Sequence, residues 1–237
     1  MLRVAGQDIA VLPNHADASQ VFNDESSYAF DPHIDNIYRG VANMSESALQ
    51  ILWRSPSEGF ISLHPNPKQW PLVHTGHALL HKQLQSPDAL PKLTETVLGF
   101  IEEHLRWGNF FSSSVLSSGT DEKVVSLHCW CRDVLVEAQS RAFFGDYLTQ
   151  IEPQMTSIYD EWDINSWMIT YRYPSFLTKP ATRPRDRLIE AFKRYLEAPL
   201  EQRPGGVPYI DELHQECRQA GLTSEDSARI MFIILWG

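Results

Sequence analysis

Apolar residues recur at three- and four-residue steps over most of the chain beyond residue 70, which is the spacing of amphipathic helices. The pattern is strongest over residues 122–144, and Gly145 stands where that helix is expected to end. The apolar stripe there consists of Leu127, Trp130, Cys131, Val134, Leu135, Ala138 and Ala142. The pattern predicts helices over residues 72–84, 92–107, 122–144, 147–167, 185–197, 210–220 and 230–236.

The first seventy residues give weaker signals. Residues 8–13 form a short apolar run that ends in a proline and predicts an edge strand. Residues 15–24 carry apolar side chains at helical spacing and predict a short helix. Prolines interrupt residues 25–69, so we expect an irregular connection with a helical turn near 45–53. The fold class expected is mainly α with a small β element near the amino terminus.

The last predicted helix differs from the others because residues 231–236 are apolar on every side, the pattern of a helix buried all round. The segment Thr223-Ser-Glu-Asp226 resembles a capping box in front of it. A buried helix that stops without a cap leaves unpaired carbonyl groups. We therefore expect residues 1–237 to be a single incomplete domain, truncated within this helix.

Charge narrows the possible partners. The formal net charge is −10 at pH 7 and the pI is near 5.3, so a phosphate backbone would be repelled, and no run of Lys or Arg creates a local exception. Nucleic acid is therefore not an expected partner. No apolar run follows Met1, so we expect neither a signal peptide nor a membrane anchor, and a cytoplasmic or peripheral chain.

The three cysteines are too few and too unevenly spaced for a disulfide framework. We expect Cys129, Cys131 and Cys217 to be small buried apolar groups. His128 adjoins Cys129, but residues two apart on a helix face different sides, which argues against a metal site there.

The histidines of residues 72–84 are the one metal-like pattern. His74, His77 and His81 would lie on one side of a helix, but no glutamate follows His77, as a zinc hydrolase motif would require. A metal site, a ligand-facing surface and an ordinary polar face remain open.

Two further segments have alternative interpretations. Trp162, Trp167, Tyr171 and Tyr173 predict an aromatic cluster that either lines an apolar ligand or packs in the core. Residues 112–118 are rich in serine without a nucleophile motif around them, so we interpret them as a solvated loop.

Four stretches together resemble the early helices of cytochromes P-450. They are residues 8–22, L-L-H-K-Q-L at 79–84, residues 127–145 with their Phe-Phe-Gly exit, and residues 187–236. The resemblance is closest to the branch with prostacyclin synthase, sterol 7-hydroxylases and related fungal enzymes. It implies the amino-terminal helical part of the P-450 fold, in which residues 230–236 begin the long central helix.

The resemblance also implies a chemistry. Complete members bind haem through a cysteine thiolate, take electrons from a reductase at the endoplasmic reticulum membrane, and hydroxylate apolar small molecules such as sterols, terpenoids or polyketides. In them, basic groups on the helix that resembles residues 79–84 hold the haem propionates. By position, His81 and Lys82 are the cofactor-binding residues implied here.

The sequence departs from the family at the iron ligand. Neither the E-x-x-R helix nor the F-x-x-G-x-x-x-C-x-G loop follows, and Glu103 with Arg106 lies too early to be the former. We therefore expect the chain as given to hold no haem stably and to be non-catalytic. A non-catalytic helical module that binds a partner protein or an apolar ligand is the alternative, and a metal hydrolase is the weakest hypothesis.

Overall fold

The computed structural model of the chain describes residues 2–4, 7–23, 30–59 and 61–236. Most of these residues are helical, which confirms the mainly α expectation. The helices of the first half are α1 His15–Asn23, α2 Asp31–Asn36, α3 Glu46–Trp53, α4 Leu72–Gln85, α5 Ala89–His104 and α6 Leu127–Phe144. Those of the second half are α7 Asp146–Ile151, α8 Met155–Thr170, α9 Lys179–Glu197, α10 Pro208–Ala220 and α11 Ser224–Trp236.

The small β element near the amino terminus is an antiparallel pair. Strand β1 Leu2–Val4 pairs with β2 Gln7–Ile9, with Arg3 opposite Asp8. The predicted strand over residues 8–13 is therefore too long, since residues 10–13 are not in a strand. The helix predicted after it is confirmed as α1.

The connection before α4 is more regular than its prolines indicated. The predicted turn near residue 45 is the helix α3, and the Ser45 hydroxyl accepts a hydrogen bond from the backbone N–H of Ala48 at 3.2 Å. Helix α2 and a π-helical turn, Ile37–Val41, were not predicted. Residues 24–29 and 60 of this region lie outside the described residues.

The serine-rich segment enters a hairpin, so its interpretation as a loop was wrong for residues 115–118, whereas residues 112–114 form a turn. Strand β3 Val115–Ser118 pairs antiparallel with β4 Lys123–Val125. The start predicted for the following helix was wrong for the same reason. Ser126 ends the strand and caps α6, because its hydroxyl accepts from the backbone N–H of Cys129 at 3.3 Å.

The helix predicted over residues 147–167 is interrupted. Pro153 pushes the preceding residue, Glu152, out of the helical region to φ −131° and ψ 85°. Helix α7 therefore ends at Ile151 and α8 begins at Met155.

The largest core lies where α8, α9 and α11 pack together. Trp162 of α8 is fully buried, and its ring lies 5.1 Å from that of Phe232 on α11 in an edge-to-face arrangement. Phe192 of α9 stacks obliquely on Phe144 at the end of α6. These aromatic contacts join the carboxy-terminal helices into one packed unit.

The capping box predicted in front of the last helix is present, and α11 begins at Ser224, earlier than the predicted run of residues 230–236. Thr223 and Asp226 cap each other's backbone N–H groups at 3.0 and 3.1 Å. Its burial is only partly as predicted, because Ile233, Ile234 and Trp236 are half-buried. The expectation of burial on every side was therefore wrong for these three residues.

Two other burial predictions were wrong. Leu127 and Leu135 of the α6 stripe are 71% and 54% exposed, because α6 turns Val134, Ala138 and Ala142 inward instead. Of the three thiols, only Cys217 is buried, whereas Cys129 and Cys131 are half-buried near the exposed start of α6.

Gly145 ends α6 as predicted, with a backbone φ of +69° that favours glycine. A side chain there would collide with the carbonyl oxygen of Pro204. The missing side chain lets residues 204–206 lie directly against the end of α6, where Phe144 and Gly206 form a β-bridge.

Among the described helices, none combines the length and the apolar character that crossing a bilayer requires.

Candidate binding surface at the α4–α10 junction

The residues predicted to contact a cofactor lie on α4, which packs against α10. Leu72 and Leu79 of α4 are buried in the core. Gly76 is the point of close approach, since a side chain there would lie 3.2 Å from the Leu213 methyl of α10. The apolar residues of α4 and the small residue Gly76 therefore place the polar side of α4 beside α10.

The three histidines of α4 are not equivalent. The ring of His77 lies 4.5 Å from that of His81, so these two share a side as predicted. His74 faces Asp31 instead, with its Nε2 atom 3.4 Å from the carboxylate. Burial, followed by the charges of His81 and His74, lowers the pKa of His77. Because the rings of His77 and His81 are adjacent, protonation of one disfavours protonation of the other.

This histidine surface does not have the geometry of a metal site. Within residues 2–4, 7–23, 30–59 and 61–236, no three His, Cys, Asp or Glu side chains converge as metal ligands do. The metal-hydrolase hypothesis thus gains no geometric support from this part of the chain.

The implied cofactor residues have different surroundings. His81 is exposed, and its Nδ1 atom lies 3.0 Å from the Gln85 amide nitrogen. Lys82 is also exposed, but its ammonium group lies 3.3 Å from both carboxylate oxygens of Glu212 on α10. A propionate bound to Lys82 would therefore compete with Glu212.

Glu212 is one link in a chain of ionisable groups that runs inward. His64, from the loop before α4, places Nε2 at 3.5 Å from Glu212 and Nδ1 at 2.8 Å from Glu216. Glu216 is fully buried, whereas Lys82 lies at the surface. We call Lys82, Glu212, His64 and Glu216 the acidic relay.

The buried end of the acidic relay is well supplied with donors. One Glu216 oxygen, Oε1, accepts from the backbone N–H of His64 at 2.7 Å and from the Ser62 hydroxyl at 3.0 Å. Its other oxygen, Oε2, has no hydrogen-bond partner among the described residues. Because a buried carboxylate is costly without such donors, Glu216 ties the loop before α4 to α10.

Sequence reasoning missed the acidic relay. His64 lies in a proline-broken connection and Glu216 is 152 residues away, so no local spacing links them. A signal was nonetheless present, because Glu216 falls beside Leu213, Cys217 and Ala220, on the apolar side of its helix. A charged residue on an apolar stripe indicates a buried partner.

The other side of α10 holds a second buried ionisable group. His214 is buried, and its Nδ1 atom has no hydrogen-bond partner in the described part of the protein. Burial, then the charges of Arg203 and Arg218, lowers the pKa of His214 to about 4. The imidazole is therefore neutral near pH 7.

The predicted aromatic cluster is divided between two places. Trp162 is a core residue that contacts Phe232 and Trp236. Trp167 instead lies on the exposed part of α8, with its ring 5.1 Å from that of Tyr173. The core interpretation is therefore correct for Trp162, and the two sites do not form one ligand lining.

The thiols differ in their capacity to bind a metal. Burial raises the pKa of Cys217 to about 12, so it is a neutral thiol near pH 7. Cys129 and Cys131 lie two residues apart on α6, and therefore face different directions.

No protein-family model, curated protein or solved structure matches this chain.

Proposed function

We propose that this chain is the amino-terminal helical part of a cytochrome P-450 haem-thiolate monooxygenase whose complete form hydroxylates an apolar small molecule. The proposed context is fungal secondary metabolism or sterol-like chemistry, with a reductase as partner at the endoplasmic reticulum membrane. Support comes from the order of the elements, since a small β element, the L-L-H-K-Q-L helix, the helix with the Phe-Phe-Gly exit and an apolar last helix follow one another as in the family.

The position of α11 is the observation that carries the proposal. In the family, the corresponding helix runs through the centre of the protein beside the oxygen site. Here Met231 and Phe232 are buried against the neighbouring helices, whereas Ile233, Ile234 and Trp236 are only half-buried. Apolar side chains that are incompletely covered favour contact with further apolar material.

The residues present fit the propionate end of a haem group but not its iron. His81 and Lys82 are exposed and basic, and Lys82 can bind a propionate if it leaves Glu212. The thiols do not fit the iron, because Cys217 is a buried neutral thiol and the other two lie on α6. We therefore propose that no cysteine of these 237 residues ligates haem iron, and that the chain alone does not catalyse oxygenation.

Sequencing the complete transcript tests the family assignment. We expect its reading frame to encode an E-x-x-R helix and a Gly-flanked cysteine loop beyond codon 237, or a recognisable remnant of both. The full-length product should then give the reduced, carbon monoxide-bound spectrum typical of thiolate-ligated haem. A frame that continues into an unrelated domain contradicts the assignment.

A non-catalytic helical module that binds a partner protein or an apolar ligand is the second candidate function. It is favoured by exposed apolar side chains on and directly after α5, on the β3–β4 hairpin and on α6. These are Leu98, Leu105, Leu116, Leu127 and Leu135. Sedimentation analysis with and without a fluorescent fatty acid distinguishes the two candidates, since saturable fatty-acid binding that blocks self-association would favour the module.

A further inference from the structure

A cleft of about 320 Å³ opens between the end of α4, the first turns of α5 and the loop before α10. This volume is at the lower end of the range for small-molecule sites. Its walls combine the apolar side chains of Leu93, Ala142 and Val207 with a few polar groups. The cleft is separate from the acidic relay, whose residues do not line it.

Gln83 is the unusual residue of this cleft. The residue is only 7% exposed, yet its side chain lines the cleft. Its amide can therefore offer both a donor and an acceptor group to a ligand in the cleft.

Two further donors line the same cleft. The Ser86 hydroxyl oxygen accepts from the backbone N–H groups of Asp88 and Ala89 at 3.3 and 3.1 Å, which leaves its own proton free to donate. The Lys92 ammonium group has no ion-pair partner among the described residues, although Asp88 lies one helical turn away. The amide, the hydroxyl and the ammonium group together favour a ligand that is an acceptor with negative charge.

The loop before α10, which forms the wall of the cleft opposite α5, is fixed by contacts with its neighbours. Gly206 lies so close to α9 that a side chain there would be 3.0 Å from the Tyr195 hydroxyl. The backbone N–H of Val207 donates to the carbonyl of Phe143 at 3.0 Å. The loop is thus fixed to the ends of α6 and α9, and the cleft is formed before a ligand arrives.

We propose that this cleft binds a small organic carboxylate, with Gln83, Ser86 and Lys92 contacting the carboxylate and Leu93, Ala142 and Val207 contacting its apolar body. Asp88 at the rim limits the ligand to a single negative charge, because a second charge would approach its carboxylate. This site goes beyond the proposed monooxygenase function and does not depend on haem.

Benzoate is a suitable probe, and benzamide is its neutral counterpart of the same shape. Isothermal titration of the 237-residue chain should give one benzoate site with a Kd on the order of 1 mM, as expected for a ligand of this size. Benzamide should bind at least about tenfold more weakly, because it cannot pair with Lys92. Equal binding of the two compounds, or no saturable benzoate binding, would overturn the proposal.

Matched variants locate the site. Gln83→Leu and Lys92→Ala should each weaken benzoate binding about tenfold, as expected when a charge-assisted contact is lost. Gln85→Leu on the same helix and Lys68→Ala on the preceding loop should leave it unchanged, because neither residue lines the cleft. Benzoate binding that survives both cleft variants would place the ligand elsewhere and overturn the assignment.

Discussion

Helices α9 and α5 bury their apolar stripes to very different extents. Helix α9 buries nine residues between α8 and α11, whereas α5 buries none, although both helices are amphipathic. On α5, Phe100 and Ile101 are half-buried and Leu98 is exposed. An apolar stripe thus stabilises the fold only where two other helices pack against it. We therefore expect stability to be concentrated in the α8–α9–α11 unit.

The largest expected effect comes from removing a buried side chain from the α8–α9–α11 unit. Trp162→Ala removes a fully buried ring and should lower the free energy of unfolding by about 3–5 kcal/mol. Trp107→Ala is the matched control, because Trp107 is 53% exposed just after α5, and it should cost below about 1 kcal/mol. Guanidinium denaturation measures both values, and similar losses would contradict the concentration of stability in the carboxy-terminal unit.

The acidic relay should give the next largest effect. Glu216→Ala leaves the donors of His64 and Ser62 unpaired beside α10 and should cost roughly 3 kcal/mol. Hydrogen exchange should accelerate in residues 61–71, because Glu216 ties them down. Glu212→Ala, at the more exposed end, should cost below about 1 kcal/mol. A Glu216 variant as stable as the Glu212 variant would mean that the buried carboxylate does not support the loop.

Acid should weaken the α10 region through His214. The native protein holds this imidazole neutral down to a pKa of about 4, whereas the unfolded chain takes up a proton near pH 6.5. Stability is therefore full above pH 6.5 and falls as the pH drops to about 4, by roughly 3 kcal/mol. His214→Gln should remove this share of the pH dependence in urea titrations at pH 7.5 and 4.5. An unchanged dependence would show that His214 does not carry it.

The smallest expected effect concerns thiol reactivity. Cys129 and Cys131 are half-buried and should react with iodoacetamide in the native protein, whereas Cys217 should react only after unfolding. Peptide mass mapping before and after denaturation measures this. Rapid native labelling of Cys217 would contradict its placement in the core.

Local signals in the sequence were sufficient for most helices. The stop at Gly145 and the cap at Thr223 depend on neighbouring residues, and both are present in the fold. Where tertiary contacts determine the local structure or the exposure of a residue, the predictions from sequence were wrong. The hairpin needs Val115 to meet Val125, and the exposure of Leu127 depends on which side of α6 is covered.

The candidate site was predictable only on α4. The spacing of His77 and His81 placed them on one side of the helix, and the ring contact confirms it. The acidic relay and the cleft at Gln83 combine residues from segments that are far apart in sequence, so no periodicity indicates them. Such sites become visible only when burial and hydrogen-bond partners are known.

Our proposal is that this chain resembles the helical scaffold of cytochromes P-450 and supplies no thiolate for iron. It is tested most directly by adding haem to the 237-residue chain, reducing it and recording its spectrum under carbon monoxide. We expect no band typical of thiolate-ligated haem, and no difference from a variant in which all three cysteines are alanine. A thiolate band that disappears in that variant would contradict the account.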